Sequence, residues 1–354
     1  MNKVIIAEIA VLAVLLIVAV ILCSTLLADP SQPAISPSPE VSNTGETTNA
    51  ASQATTEQTE PAPTWMTLPS DRQLLAKQYF VYDVTADRFL TISGNTSDKI
   101  YPASVTKLFT CYVALQYLEP EQLITVGDEL DMVRAGSSVA DLRKGDQLTV
   151  SQLVEAMLLP SGNDAAHVLA ANAGKVIKGS SNASASDYVA VFMEEMNQQA
   201  KKVGMTGANF ANPDGIHRSN HYMTFQDLAI LGKLSISDPT IMKNAIISSE
   251  TVTFAARGEA DDDEENYYYS KTEELSENTV KWLNTNALID PTSQYYCPYA
   301  TGLKTGQTPS AGSCLLSSFA YEGKEYVIGV FGCPETDDRF EDTLQLFNDT
   351  IGIQ

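Results

Sequence analysis

The sequence has few basic residues for its length. Its 354 residues include 22 lysines and arginines against 44 aspartates and glutamates, which gives a net charge of −22. Proteins that bind nucleic acids need basic side chains to neutralise phosphates, so this composition disfavours a nucleic-acid partner. Apolar residues make up 44% of the chain and aromatic residues 8%, which is too much for a wholly disordered protein. We therefore expect a folded protein without a nucleic-acid partner.

Histidine is also scarce, with three in the whole chain. His217 and His221 have the i, i+4 spacing of a zinc-binding helix, but their segment is rich in Pro, Gly and Asn and lacks the Glu of H-E-x-x-H. His167 is the third histidine that remains as a possible ligand. The sequence therefore predicts no metal site and no cofactor, and packing or loop hydrogen bonds explain this histidine pair better than a zinc peptidase does.

The N-terminal segment is the one long hydrophobic run of the chain. Residues 4–27 are apolar except for Glu8 and the pair Ser24 and Thr25. As a helix they would cover roughly 36 Å, which is enough to cross the hydrocarbon core of a membrane. We expect residues 1–28 to form a membrane anchor with Lys3 on the cytoplasmic side. The alternative is a cleaved secretory signal, although Leu26 stands where a cleavage site needs a small residue. Both interpretations place the rest of the chain outside the cytoplasm.

Much of the acidic charge lies outside the segments with a globular composition. Residues 29–64 are rich in Ser, Thr and Pro and carry five acidic and no basic residues, so we predict a disordered stalk. Residues 65–354 have a globular composition, interrupted at 257–277 by nine acidic and two basic residues. This interruption lacks the Gly-assisted ligand spacing of a calcium loop and is expected to be solvated. The stalk and the acidic loop together carry more than half of the net charge.

The globular part has strand patterns at both ends and helix patterns between them. Residues 79–84 and 89–92, and later 313–320 and 325–332, are two predicted hairpins. Helical spacing runs from Leu108 to Leu118, over 186–203 and over 336–351, while Thr149 and Thr224 have capping-box spacing to Gln152 and Asp227. This order predicts an α+β fold, with an antiparallel sheet, flanking helices and a helical lobe.

Ser104 and Lys107 form the first motif with possible chemistry. They are three residues apart at a predicted helix start, so the hydroxyl and the amine can meet on one face. A serine hydroxyl needs an adjacent base to act as a nucleophile, and a desolvated lysine can be that base. Backbone N–H groups at the helix start could also stabilise an oxyanion.

Two later segments complete a possible site. Ser161 and Asn163 lie in a Pro-Ser-Gly-Asn break between helical stretches, where they could offer a hydroxyl and an amide to a cleft. Lys304, Thr305 and Gly306 lead toward a predicted strand. Lys304 and Thr305 could bind a carboxylate, and Gly306 would let a substrate backbone lie against the strand edge.

The three motifs occur in the order S-x-x-K, S-x-N and K-T-G, a combination typical of penicillin-binding proteins and β-lactamases. Over about residues 70–354 the chain resembles the low-molecular-weight penicillin-binding proteins, which are serine D-alanyl-D-alanine carboxypeptidases. The resemblance extends to residues 212–217 (NPDGIH), residues 220–224 (NHYMT), Ala311 with Gly312, and Arg339 at 35 residues after Lys304.

The resemblance implies a β-lactamase/transpeptidase-like fold with the active site between sheet and helical lobe. It also implies a two-step acyl transfer on a peptidoglycan stem peptide, with penicillin and other β-lactams as covalent inhibitors. Ser104 would be the nucleophile, Lys107 its base, and Ser161, with Lys304 nearby, the proton donor to the leaving D-alanine. The remaining implied contacts are an oxyanion hole from the N–H groups of Ser104 and Gln307, an amide contact from Asn163, and a carboxylate site from Thr305 and Arg339.

Several alternatives stay open at this stage. A β-lactamase would share the motifs, but no glutamate occurs between Asn197 and Asp227, where the commonest type has the residue that activates water. D,D-endopeptidase and transpeptidase activities fit the same fold, whereas a non-enzymatic wall-binding module would be expected to lack some motif residues. Many relatives carry a C-terminal β-rich domain with an amphipathic anchor, and here the N-terminal segment is expected to be the anchor. One pair among Cys297, Cys314 and Cys333 could be bridged, although a buried free thiol is equally compatible with Cys314.

Overall fold

The computed structural model describes residues 72–180, 182–257 and 275–352. The predicted anchor (1–28) and stalk (29–64) lie outside these residues. None of the helices in the described ranges is both long and apolar enough to span a membrane.

The described residues form eleven strands and seven α-helices. The strands are β1 (Gln78–Asp83), β2 (Arg88–Ile92), β3 (Lys99–Ile100), β4 (Leu123–Thr125), β5 (Gln147–Thr149), β6 (Met223–Thr224), β7 (Ser249–Arg257), β8 (Leu275–Leu283), β9 (Ala300–Thr308), β10 (Gly312–Tyr321) and β11 (Lys324–Cys333). The helices are α1 (Thr106–Ala114), α2 (Val150–Leu158), α3 (Asn163–Lys178), α4 (Ala185–Lys202), α5 (Phe225–Ser237), α6 (Pro239–Ala245) and α7 (Asp338–Phe347).

The main sheet has five antiparallel strands in the order β2-β1-β11-β10-β9. Both predicted hairpins are present, as β1–β2 and β10–β11. The first strand pairs with the last, so that Tyr82 lies opposite Val327. Two smaller sheets, β3-β6 and β4-β5-β7-β8, complete the strand pairing in the described ranges. The α+β architecture predicted from the sequence is therefore confirmed.

The two faces of the main sheet pack against different layers. Along β1, Phe80 and Tyr82 join the hydrophobic core formed with helices α1 to α6, whereas Val81 between them joins a second cluster with Phe340 and Phe347 of α7. This alternation follows from the two-residue period of a strand. The sheet is thus covered by the helical lobe on one face and by the closing helix on the other.

The helix starts follow the capping patterns of the sequence. Thr149 accepts a hydrogen bond from the Gln152 amide while the Gln152 side chain accepts one from the Thr149 amide. Thr224 and Asp227 make the same reciprocal pair at the start of α5. These contacts satisfy N–H groups that have no partner within the helix.

Two segments differ from the sequence-based expectations. The helix predicted through Leu118 ends at Ala114, and Leu118 is buried in the turns that follow. The acidic loop predicted over 257–277 is shorter, because its first residue ends β7 and its last three begin β8. Residues 258–274 lie outside the described ranges. The four cysteines within the described ranges, Cys111, Cys297, Cys314 and Cys333, are all free and buried.

Candidate active site

Ser104 lies in a 3₁₀ turn, Ala103–Val105, that leads directly into α1. Two glycines make room for this turn. A Cβ atom on Gly306 of β9 would lie 2.9 Å from the Ser104 nitrogen, and one on Gly215 would lie 1.9 Å from the Ala103 carbonyl oxygen. Ala103 itself has a φ of 48°, a strained value for a residue with a side chain. The turn is therefore held between β9 and the 212–216 loop.

Lys107 is fully buried and lies in the first turn of helix α1. Its Nζ atom lies 2.9 Å from Ser104 Oγ, 2.7 Å from Asn163 Oδ1 and 2.8 Å from the backbone oxygen of Asp214. A neutral amine has two N–H donors and one lone pair. The two carbonyl oxygens can only accept, so they take both N–H groups and leave the lone pair for the Ser104 hydroxyl.

Burial favours this neutral amine. Loss of hydration lowers the pKa of Lys107 to about 8, although the negative charges of Asp214 and Asp164 oppose that shift. The geometry and the electrostatics therefore both suit a lysine that removes the Ser104 proton.

The second motif lies at the start of α3. Ser161 is buried and has a φ of 66°, and Asn163 is the first residue of the helix. The Asn163 amide donates to the Ser138 carbonyl at 2.9 Å. The Asp164 carboxylate accepts hydrogen bonds from the Ala140, Leu142 and Ala165 amides. The helix start and the 138–142 segment are thus fixed together, with the Asn163 side chain directed to Lys107.

The third motif lies on β9, beside the nucleophile turn. Lys304 is fully buried, and its Nζ atom lies 3.3 Å from Thr285 Oγ1 and 3.5 Å from Thr305 Oγ1. Burial lowers the pKa of Lys304 well below its ordinary value, and the positive charges of Lys107 and Arg339 act in the same direction. Arg339 is 6% exposed, and its Nη1 donates to the Gly306 carbonyl at 3.4 Å.

A cleft of about 810 Å³ opens over these elements. Its lining includes Ser104, Asn163, Gln307 near the end of β9 and the loop that holds His217. Segment 134–138 forms another wall. Lys107 is buried behind this lining, in contact with Ser104 and Asn163. Lys304 and Arg339 are not among the lining residues, and their contacts are with Thr285, Thr305 and Gly306 of the neighbouring elements.

Comparisons with known proteins identify the family of the chain. A sequence model of the peptidase S11 family, described as D-alanyl-D-alanine carboxypeptidase, matches residues 65–334. The chain belongs to this family.

Two relatives in this family share between a quarter and a third of their aligned residues with this chain. The chain is 28% identical to D-alanyl-D-alanine carboxypeptidase DacC of Escherichia coli over 77% of its own length and 60% of DacC. It is 29% identical to DacF of Bacillus subtilis over 69% of its own length and 54% of DacF. The chain therefore matches only part of these two relatives.

Solved structures of the same type match over nearly their whole length. The DD-transpeptidase of Streptomyces K15 has a TM-score of 0.66 and 25% identity, with 79% of this chain and 98% of that chain covered. Penicillin-binding protein D2 of Listeria monocytogenes, in its ampicillin-bound form, has a TM-score of 0.59 and 25% identity, with coverages of 78% and 98%. The fold is the β-lactamase-like fold of these penicillin-binding DD-peptidases.

The sequence motifs left out three residues that touch the site. Asp214 supplies the backbone oxygen for Lys107, His167 contacts the Asp214 carboxylate, and Thr285 lies 2.5 Å from Thr305 Oγ1. Asp214 belongs to the NPDGIH segment that carries the family resemblance, but its contribution is a backbone atom, for which side-chain identity gives no signal.

The two neighbouring histidines make hydrogen bonds and ring contacts within the protein. His221 Nδ1 accepts from the Ala211 amide at 3.2 Å, so its Nε2 donates to Thr106 Oγ1 at 2.9 Å. Burial lowers the pKa of His221 to about 4, which keeps this ring neutral. His217 packs edge-on against Tyr101, with 4.7 Å between ring centroids. Within the described ranges no cluster of His, Cys, Asp or Glu is suited to hold a metal ion.

Proposed function

We propose that the protein is a serine D-alanyl-D-alanine carboxypeptidase that removes the terminal D-alanine from peptidoglycan stem peptides and is acylated by penicillin at Ser104. The observation that carries this proposal is the buried Lys107 amine, with two carbonyl acceptors and the Ser104 hydroxyl around it. Family membership supports the same reaction.

In the acylation step, Lys107 takes the Ser104 proton as Ser104 Oγ attacks the carbonyl carbon between the two D-alanines. The carbonyl oxygen becomes an oxyanion that accepts hydrogen bonds from the backbone N–H groups of Ser104 and Gln307. The space at Gly306 supports this pairing: a Cβ atom there would lie 2.9 Å from the Ser104 nitrogen, so the strand that contains Gln307 runs beside the nucleophile turn.

Collapse of this intermediate breaks the C–N bond and gives the leaving D-alanine a proton. Ser161 is the proposed relay: it gives its hydroxyl proton to that amine and takes up the proton that Lys107 removed from Ser104, which returns Lys107 to its neutral form. Lys304, whose pKa burial lowers, is proposed to assist Ser161. Asn163 orients the substrate amide from the cleft floor. Thr305 and Arg339 are proposed to hold the free carboxylate of the D-alanine, with Gly306 keeping the strand close to the nucleophile.

Water then attacks the ester carbon of the acyl-enzyme while neutral Lys107 accepts a proton from the water. Lys107 returns that proton to Ser104 Oγ as the ester bond breaks, so Ser104 leaves as the free hydroxyl. The absence of glutamate between Asn197 and Asp227 disfavours the water activation used by common β-lactamases. Penicillin is therefore proposed to remain bound as a slowly hydrolysed ester.

We further propose that residues 1–28 anchor the protein in the bacterial cell membrane and that residues 29–64 are a stalk that carries the catalytic part toward the wall. The apolar composition of residues 4–27 supports the anchor. Membrane fractionation of cells that express the full chain or a chain without residues 1–28 separates an anchor from a cleaved signal, because a cleaved full chain would be recovered as a shortened soluble protein.

The catalytic proposal is tested with the purified full chain and a fluorescent penicillin. We expect a covalent band in denaturing gels that disappears in Ser104→Ala and persists in Ser186→Ala, an exposed serine on α4. Undiminished labelling of Ser104→Ala would exclude Ser104 as the nucleophile.

A DD-transpeptidase is the second candidate, since the Streptomyces K15 structure that matches over 98% of its length bears that name. Incubation with N-acylated L-lysyl-D-alanyl-D-alanine distinguishes the two activities. A carboxypeptidase releases D-alanine and the shortened peptide in equal amounts, whereas a transpeptidase given glycylglycine converts part of the substrate into a new peptide. Carboxypeptidase action predicts that hydrolysis dominates in the presence of this acceptor.

A further inference from the structure

Helix α3 contacts the surroundings of Lys107 at two points. Asn163 Oδ1 accepts directly from Lys107 Nζ, and His167, one turn further along the same helix, lies with Nε2 3.3 Å from Asp214 Oδ2. The Asp214 backbone oxygen is the other carbonyl acceptor of Lys107. His167 and Asp214 are 6% and 3% exposed.

The side chain of Asp214 is held from two directions. Its Oδ1 accepts from the Ile216 amide at 3.0 Å, and its Oδ2 faces His167. The ring nitrogen His167 Nδ1 is buried without a hydrogen-bond partner among the described residues. The tautomer that fits is therefore Nε2–H, which donates to Asp214 and leaves Nδ1 as a bare acceptor.

Asp214 remains ionised in this setting. Burial alone would raise the pKa of its carboxyl, but the hydrogen bond from His167 and the charge of Lys107 bring that pKa below its ordinary value. An ionised carboxylate next to the site stabilises the protonated form of Lys107. The hydrogen bond from His167 Nε2–H partly neutralises the Asp214 carboxylate, so the carboxylate stabilises protonated Lys107 less strongly.

We propose that His167 is a positioning residue, which acts through Asp214 to hold the Lys107 amine with its lone pair toward Ser104. This proposal rests on the proposed function, in which Lys107 is the base. His167 does not touch Ser104 in the described contacts, so its effect on the reaction passes through the 212–216 loop.

Other charged groups also face this cluster. The negative charge of Asp164 on α3 raises the pKa of Lys107. The positive charge of Lys107 lowers the pKa of Lys304 on β9, and the negative charge of Asp214 raises the pKa of His221. These groups are unchanged in the variants below, so differences in the pH profile report on His167 and Asp214.

The test is the pH dependence of the rate at which fluorescent penicillin acylates the full chain. The midpoint is the pH at which the acylation rate reaches half of its maximum. Asp214→Asn removes the carboxylate that favours protonated Lys107, so this midpoint should fall by roughly half a pH unit or more. His167→Phe keeps a planar ring but has no donor, so the midpoint should move upward and the rate at pH 7 should fall several-fold. His167→Gln retains an N–H donor and should restore the wild-type midpoint.

The double variant with His167→Phe and Asp214→Asn isolates the route through Asp214. Once the Asp214 carboxylate is absent, loss of the His167 donor should have no further effect, so the double variant should have the same midpoint as Asp214→Asn. An additive shift in the double variant, or an unchanged midpoint in His167→Phe, would overturn the proposal. Thermal unfolding of each variant identifies any that fails to fold. If the His167 variants do not fold, the nearly isosteric Asp214→Asn variant is the remaining test. A midpoint that does not fall in this variant refutes the role of Asp214.

Failure of the proposed function has a different signature. It appears in the wild-type chain as penicillin labelling that does not depend on Ser104, before any His167 variant is compared. A Ser104-dependent wild-type reaction with identical profiles for His167→Phe and His167→Gln would leave the proposed function intact and overturn the role of His167.

Discussion

At the scale of single residues, the arrangement around Lys107 depends on how few hydrogen bonds a neutral amine can donate. Asn163 and the Asp214 backbone supply two acceptors, so the third direction around Nζ is left for Ser104. A protonated lysine would donate in all three directions and could not accept the serine proton. The protonation state of this one side chain therefore decides whether the proposed nucleophile is active.

The first prediction concerns the pH dependence of acylation by fluorescent penicillin. The pKa of Lys107 is about 8, so the fraction of neutral amine and the acylation rate should both rise as the pH increases through that value. Lys107→Arg keeps a positive charge but cannot lose its proton, and the rate should fall by about 100-fold or more. Lys178→Arg, at the exposed end of α3, is the matched control and should retain the wild-type profile. A flat profile in the wild type would contradict the role of Lys107.

The second prediction concerns Gly306. A methyl group at this position would lie 2.9 Å from the Pro102 carbonyl oxygen, the Ala103 Cβ and the Ser104 nitrogen, so Gly306→Ala must displace the nucleophile turn from β9. We expect at least a tenfold loss in acylation rate together with a lower unfolding midpoint. Gly179→Ala has backbone strain at φ of 64° but no atom within 4 Å of the new methyl group. It should lower the unfolding midpoint while leaving the acylation rate unchanged.

The motif residues of the site could be predicted from the sequence because their side chains carry the chemistry. Lys107 contacts both Ser104 and Asn163, and Lys304 lies with Thr305 on one strand. The Asp214 contact could not be predicted in this way, because any residue has a backbone oxygen. Its position depends on the fold of the 212–216 loop, which Asn212 stabilises by accepting from the Gly215 amide.

At the scale of secondary-structure elements, α2 links the site to the smaller four-stranded sheet. Gln152 completes the capping box with Thr149, and its Nε2 also donates to the Thr253 carbonyl of β7 at 3.0 Å. The other end of α2 leads into the Ser161 turn. A change at the cap therefore affects both the helix and the strand that it contacts.

The third prediction is that Thr149→Ala lowers the free energy of unfolding by about 1 kcal/mol, because the Gln152 amide loses its acceptor. Thr149→Ser retains the hydroxyl and should cost much less. Chemical denaturation followed by circular dichroism measures both changes. Equal losses for the two substitutions would mean that packing of the Thr149 methyl group, rather than the cap, is responsible.

Elements with a strong local pattern could be predicted, and those shaped by their neighbours could not. The β1–β2 and β10–β11 hairpins and the capped helices follow from alternation and from side-chain caps. The helix that begins at Thr106 stops at Ala114, even though Leu118 keeps the apolar spacing and is buried. The pairing of β7 with β8 was not predicted, because the acidic composition of residues 257–277 obscured strands whose buried side chains include Val252, Phe254 and Trp282.

At the scale of the whole molecule, the start of the described chain is tied to the closing helix. Asp342 of α7 accepts from Arg72 Nη1 at 2.5 Å and from the Leu75 and Ala76 amides at 2.9 and 2.6 Å. Its side chain is completely buried. The carboxylate thus joins segments that are almost 270 residues apart in the sequence.

The fourth prediction is that Asp342→Ala lowers the free energy of unfolding by about 3 kcal/mol, because it leaves two amides without their acceptor and the Arg72 guanidinium with Glu341 as its remaining partner. Lys144→Ala is the contrast, since it removes ion pairs to the exposed carboxylates of Asp128 and Asp131. That variant should unfold at nearly the wild-type denaturant concentration. Equal losses for Asp342→Ala and Lys144→Ala would show that the buried contacts of Asp342 contribute no more to stability than the exposed ion pairs of Lys144.

The pairing of β1 with β11 also sets the order of events when the protein is made. Tyr82 and Val327 face each other across 245 residues of chain, and β9, against which the Ser104 turn packs, comes late in the sequence. Contacts of such long range are slow to form and leave strand edges unpaired until the end of the chain is available. If the chain crosses a membrane behind the proposed N-terminal anchor, the segment with Ser104 and Lys107 would emerge early, yet no cleft would exist until the last strands had followed. Reaction with penicillin would then mark the completion of folding as well as the presence of the enzyme.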